Sequence, residues 1–266
     1  MTKAPSFDTL TYAVAGGVAT VTLNRPDAAN ALNVHLAKDF YDAILLAEED
    51  EAVRSVMITG SGKMFCAGGD LSAIAGAEDS PSAEVKRITH YFHGAIARMA
   101  RMDAPVIAAV NGTAAGAGFS LVCACDMAIA SEKAKFTMAY TAAGLAPDGS
   151  STFFLPRLIG LRRAQELMLT NRLVTAAEAA EFGIVNEVVP AEGLNEAAEG
   201  LAARLAGGPT KAFGAVKQML AETFDNGLET QMELETRSIA GMCNTHDGVE
   251  GVSAFREKRQ PAFKGR

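Results

Sequence analysis

The spacing of apolar and polar positions along this chain changes several times, and each change marks an element. Two strand-like runs open it, Leu10–Ala15 and Val18–Leu23, joined by the turn pair Gly16-Gly17. Asn33 then stands at a cap position, because Leu36, Phe40, Ile44 and Ala47 recur behind it at helical spacing. VRSVMITG (53–60) reads as a short buried strand and runs into the irregular SGKMFCAGGDL. A longer amphipathic helix is expected over 83–101, stopped by Pro105. PVIAAV (105–110) is again a strand, followed by NGTAAGAG. Strand, loop and helix in alternation predict an α/β fold.

From Ala191 the period is helical almost throughout. Helices are expected at about 191–206, 210–224, 227–243 and 247–258, separated by GGP, DNG and NTHDG. The simplest division is an α/β core over 1–190 and a helical region over 191–266. No linker rich in Pro, Gly or Ser separates them, so one integrated unit is expected. TAAE (175–178) is a capping-box pattern, Thr175 at the cap and Glu178 reaching back.

Composition then narrows the functional classes. The 266 residues are 49% hydrophobic, ample for a core, and the net charge of −7 comes without a basic block. A nucleic-acid partner is therefore not expected. The four cysteines (Cys66, Cys123, Cys125, Cys243) show no CxxC pairing. Buried thiols in a reducing compartment are expected rather than disulfides or a zinc site. The stretch MTKAPSFDTLTY lacks a leader pattern, and no apolar run approaches the roughly 18 residues of a membrane span. A cytoplasmic protein with no membrane partner is the expectation.

GSGK (60–63) does not make a phosphate loop, since Met64 stands where a hydroxyl is needed for magnesium. GTAAGAG (112–118) follows a strand, but its glycine spacing is not that of a dinucleotide fingerprint. As a pair, the two small-residue loops could point amide groups into a cleft as an oxyanion hole, or could simply permit close packing. A single acid, Asp148, precedes the apolar stretch TFFLPRLIG. It reads either as a helix cap or as a working carboxylate.

NRPDAANAL (24–32), FCAGGDL (65–71), PVIAAVNGTAAGAG (105–118) and EGVSAFREKRQPAFKGR (250–266) arrive in the order of one family. The chain resembles the enoyl-CoA hydratase/isomerase, or crotonase, superfamily from about residue 10 to its end. That resemblance implies a crotonase-like spiral of ββα units with a helical C-terminal trimerisation region. It also implies an acyl-CoA substrate, a homotrimer or hexamer, and no cofactor beyond the coenzyme A that the substrate carries. It assigns the oxyanion donors to the amides of Gly69 and Ala117. Ala28, Ala29, Ala67, Asp70 and Leu71 are expected at the adenosine and pantetheine site, and Phe255 and Lys258 at the nucleotide of a neighbouring subunit. Asp27 departs from the lysine that many relatives carry beside the phosphates.

Hydratases of this family use two glutamates, and Ser120 and Tyr140 occupy those positions here. Neither side chain is a base at neutral pH in its ordinary state. Asp148 falls where several family isomerases keep their carboxylate, and the motifs are most similar to phenylacetate-pathway epoxyphenylacetyl-CoA isomerases, which also act as Δ3,Δ2-enoyl-CoA isomerases. The leading expectation is double-bond isomerisation by one aspartate. The alternatives are enoyl-CoA hydration, a non-catalytic acyl-CoA-binding protein, and aroyl-CoA dehalogenation. In the last, Asp148 would be the nucleophile and His93 the base, with Tyr140 where those enzymes carry a tryptophan. Tyr91, Phe92, Phe119, Tyr140 and Phe153 are expected to shape the acyl pocket.

Overall fold

The computed structural model describes residues 6–78 and 80–266. The first five residues of the stretch searched for a leader lie outside the described residues. β1 (Leu10–Ala15) and β2 (Val18–Leu23) pair antiparallel around Gly16 and Gly17, whose φ angles of 59° and 82° suit the tight hairpin turn. Each later pass of the chain lays one strand in each of two sheets. The successive pairs are β3 (Ser55–Gly60) with β4 (Met64–Cys66), β5 (Val106–Val110) with β6 (Thr113–Ala115), and β7 (Met127–Ser131) with β8 (Lys135–Thr137). With β9 (Val174–Thr175) and β10 (Glu187–Val189), they form a six-stranded sheet ordered β1-β2-β3-β5-β7-β10 and a four-stranded sheet ordered β4-β6-β8-β9. All neighbours are parallel except β1–β2 and β8–β9. This is the expected α/β spiral of ββα units.

The helices follow the apolar periodicity closely. They are α1 (Val34–Glu49), α2 (Leu71–Ala75), α3 (Pro81–Arg101), α4 (Ala117–Ala124), α5 (Ser151–Ile159), α6 (Leu161–Thr170), α7 (Ala176–Phe182), α8 (Leu194–Ala206), α9 (Thr210–Glu222), α10 (Leu228–Met242) and α11 (His246–Glu257). The Asn33 side chain accepts from the Leu36 amide at 2.9 Å, the expected cap. Thr175 and Glu178 complete the capping box of α7. The long helix starts two residues before the periodicity predicts, because Ser80 caps it and Pro81 fits its first turn. Residues 191–193 form a 3-10 turn, so α8 begins only at Leu194.

Alternation on the buried strands divides the core. Val56 and Ile58 of β3, with Val106, Ala108 and Val110 of β5, meet the α1 face carrying Leu36, Phe40 and Ile44. Met57, Ile107 and Ala109 point the other way and are covered by Leu194, Ala198, Leu201 and Ala202 of α8. Each large side chain so buried contributes about 2 kcal/mol. α9 is fastened to this core by Lys217, whose Nζ reaches the Met99 and Ala104 carbonyls at 2.7 and 3.0 Å and Asp126 Oδ2 at 2.8 Å. α10 has no buried residue. Among the described residues, no helix is long and apolar enough to cross a membrane.

Candidate active site

The two small-residue loops end their strands side by side. After β4, Leu32 N–H donates to Gly68 O at 2.7 Å and Asp70 N–H to Leu32 O at 2.9 Å. Main-chain polar groups alternate along an extended segment, so this pairing turns the Gly69 amide away from Leu32. After β6, Gly116 breaks direction and Ala117 opens α4. Amides of a first helical turn have no partner within the helix. Among the described residues, neither the Gly69 nor the Ala117 amide is bound in the main-chain contacts of these loops. A Cβ on Gly68, at φ +97°, would lie 2.9 Å from Ala115 O and 3.3 Å from Ala117 N. Only glycine permits so close an approach.

Both loops open on a cavity of about 350 Å³. Ile74, Val85, Ile88 and Phe92 from α2 and α3 form an apolar wall, and Tyr140 and Asp148 are the ionisable side chains that line it. A larger cavity of about 630 Å³, lined by charged residues such as Arg101 and Lys211, contains none of the expected site residues.

Asp148 sits in the turn before α5 but does not cap it with its side chain; the cap position is Ser150, in a left-handed conformation and without a side-chain bond. The carboxylate is partly exposed, at 31%, and its two oxygens differ. Tyr140 Oη donates to Oδ1 at 2.7 Å, whereas Oδ2 lies 3.4 Å from His93 Nε2. That nitrogen accepts the Gly149 N–H at 3.1 Å, which puts the proton of a neutral His93 ring on Nδ1. Burial pushes the Tyr140 phenol far above its ordinary range, and the Asp148 charge adds to the effect. The phenol therefore remains a donor at physiological pH.

Gly69, Ala117, Asp148, Tyr140, Ala67 and Leu71 all line this cavity. His93 stands beside Asp148. Ala28 and Ala29 lie in and after the 3-10 turn Pro26–Ala28; Ala29 O accepts the Ala67 amide at 3.0 Å, but neither residue lines the cavity. The Asp70 carboxylate is occupied within the chain, capping α2 through the Ala73 amide at 3.1 Å and pairing with Arg25 at 3.1 Å. Phe255, 86% exposed, and Lys258, at the end of α11, are not among the residues lining the cavity. Of the five aromatic residues expected at the pocket, only Phe92 and Tyr140 line it. Phe119 is buried against Phe136, Phe153 lies under the Arg157 guanidinium, and Tyr91 faces Tyr41. Val85, Ile88 and Thr89 were missed, although with Phe92 they form a helical-period stripe on α3.

The model of the family described as enoyl-CoA hydratase/isomerase matches residues 13–266, and the chain belongs to that family, within the crotonase superfamily. It is 38% identical to 1,2-epoxyphenylacetyl-CoA isomerase of Escherichia coli (strain K12), over 94% of this chain and 96% of that one. It is 35% identical to 4-chlorobenzoyl coenzyme A dehalogenase-2 of an Arthrobacter species, over 91% of this chain and 88% of the relative. Among solved structures, enoyl-CoA hydratase from Bacillus anthracis superposes with a TM-score of 0.91 at 34% identity, covering 97% of this chain and 100% of that one. The protein is thus a crotonase-superfamily enzyme of the isomerase/hydratase kind, and the family implies an acyl-CoA substrate.

Proposed function

We propose that this enzyme shifts a carbon–carbon double bond in an acyl-CoA thioester, with Asp148 as the single proton carrier. The observation that carries this reading is that Asp148, Gly69 and Ala117 share one apolar cavity while Ser120 and Tyr140 fill the hydratase acid positions. The thioester oxygen accepts the Gly69 and Ala117 amides, which favours loss of a proton from C2 to Asp148. The electron pair moves through the conjugated system to the thioester oxygen. Return of the proton to C4 leaves the double bond between C2 and C3. Tyr140 engages Oδ1, so the travelling proton rides on Oδ2. Each oxyanion donor is worth about 10²–10³ in rate. Replacing Asp148 with Asn should lower isomerisation of a cis-3-enoyl-CoA by about 10³-fold or more, with CoA affinity changed less than about twofold. An unimpaired variant would refute the proposal.

A second reading, aroyl-CoA dehalogenation, is favoured by His93 beside Asp148 and by the likeness to the Arthrobacter enzyme. Against it, the His93 Nε2 lone pair is already taken by Gly149 N–H, so it would have to be freed before activating water. Chloride release from 4-chlorobenzoyl-CoA tests this directly. We also propose that the chain assembles as a homotrimer, or a hexamer of two trimers. α10 leaves Leu228, Met232 and Ile239 exposed, and a helix with no buried face gains little support from its own chain. Such an assembly would bring Phe255 and Lys258 to a neighbour's nucleotide site. The free cysteines suit a reducing, cytoplasmic setting.

A further inference from the structure

We infer that Ser120 is a positioning residue, acting on Asp148 through Tyr140 and tying the acid to the helix that carries the second oxyanion donor. The inference rests on the proton-carrier reading of Asp148. Ser120 is fully buried on α4, three residues after Ala117, and its hydroxyl has three neighbours. Tyr140 Oη lies at 2.9 Å, Asp148 O at 3.0 Å and Gly116 O at 3.2 Å.

One hydroxyl proton cannot serve all three. Gly116 O already accepts the Ser120 amide, and Asp148 O accepts both the Ser151 hydroxyl at 2.9 Å and the Ser151 amide at 3.2 Å. The Tyr140 proton goes to the Asp148 carboxylate, because a bond to an ionised acceptor is the stronger one. Among the described residues, that leaves the Tyr140 oxygen with no other donor, and it is also the shortest contact. The chain of donors therefore runs from Ser120 to Tyr140 to Asp148 Oδ1, and each bond polarises the next. Packing reinforces the same link. Gly149 turns at φ +60°, and a Cβ there would lie 2.9 Å from Ser120 Cβ, so the acid-bearing turn rests directly on this serine. A larger or missing group at 120 would change where the carboxylate points relative to the amides.

A double-mutant cycle on the 266-residue chain tests this, with Asp148→Asn as the reference for the parent mechanism. Ser120→Ala should lower kcat about three- to tenfold and Tyr140→Phe about 10- to 100-fold, with KM changed less than about twofold in each. The double variant should match Tyr140→Phe within about twofold, because Ser120 acts through the missing hydroxyl. In tyrosine labelled with ¹³C at Cζ, the resonance absent from Tyr140→Phe should shift in Ser120→Ala. If the two losses multiply, or if Ser120→Ala lowers only thermal stability and leaves kcat and that resonance unchanged, Ser120 is merely structural and the inference is wrong. Full activity in Asp148→Asn would instead overturn the proton-carrier reading. The resonance, which needs no turnover, would still judge the Ser120–Tyr140 link.

Discussion

At Gly149 the absence of a side chain decides the shape of the acid turn. A Cβ there would stand 2.7 Å from Phe92 Cε1 and 2.9 Å from Ser120 Cβ, both on buried residues, and φ is +60°. Gly149→Ala should destabilise the enzyme by about 2 kcal/mol in urea denaturation, from left-handed strain and crowding together. It should also reduce kcat more than it changes KM, since Asp148 is the adjacent residue. The identity of Asp148 as a candidate was readable from sequence, but which of its oxygens is free was not. That depends on Tyr140, eight residues away, and on His93 on a different helix.

Between elements, Asn30 braces the first glycine loop. The two protons of its buried Nδ2 are shared among Ser61 O, Met64 O and Phe65 O, at 3.0, 2.9 and 3.2 Å, and its Oδ1 accepts the Arg25 amide at 2.9 Å. Asn30→Ala strands these groups and places alanine at φ +55°, so we expect a loss of about 3 kcal/mol by denaturant titration. Arg25 adds a second brace through the Ala31 carbonyl and Asp70, the residue after Gly69. At the other end of the chain, two carboxylates strap residues 259–266 to α11. Burial raises the Asp247 carboxyl, but the Lys264 amide, His246 and the Gly265 amide outweigh it, so the group sits below its ordinary value. Arg259 foremost, with the Ala262 amide, holds Glu250 down at about 2. Both lowered values add stability that is present above the unfolded values near pH 4 and is lost as pH falls through the folded ones. The NMR amide resonances of Ala262, Lys264 and Gly265 should move between about pH 4 and 2.

For the whole molecule, the exposed apolar residues of the last helices bear on the proposed assembly. Ile239 of α10 is 69% exposed in the single chain. Ile239→Glu should convert a trimer or hexamer to smaller species in light scattering, because burying an unpaired carboxylate is unfavourable. KM for acyl-CoA should rise with it if Phe255 and Lys258 serve a neighbour. An unchanged mass would argue that α10 faces solvent.

Local physics made much of this protein legible from its residues alone. Strand alternation, helical spacing, the Asn33 cap and the Thr175–Glu178 box act over at most a few positions, so they place β1, β2, α1 and α7 without tertiary information. The small-residue loops offered an oxyanion hole or close packing, and only the family resemblance singled out Gly69 and Ala117. Periodicity states that a face is apolar but not what that face meets. For this reason Phe119 and Phe153 were expected at the pocket and are packed elsewhere, while Val85, Ile88 and Thr89 became its wall. The Ser120–Tyr140–Asp148 chain joins residues up to 28 positions apart. Only the packing of α4 against the turn before α5 brings those hydroxyls within reach of one carboxylate.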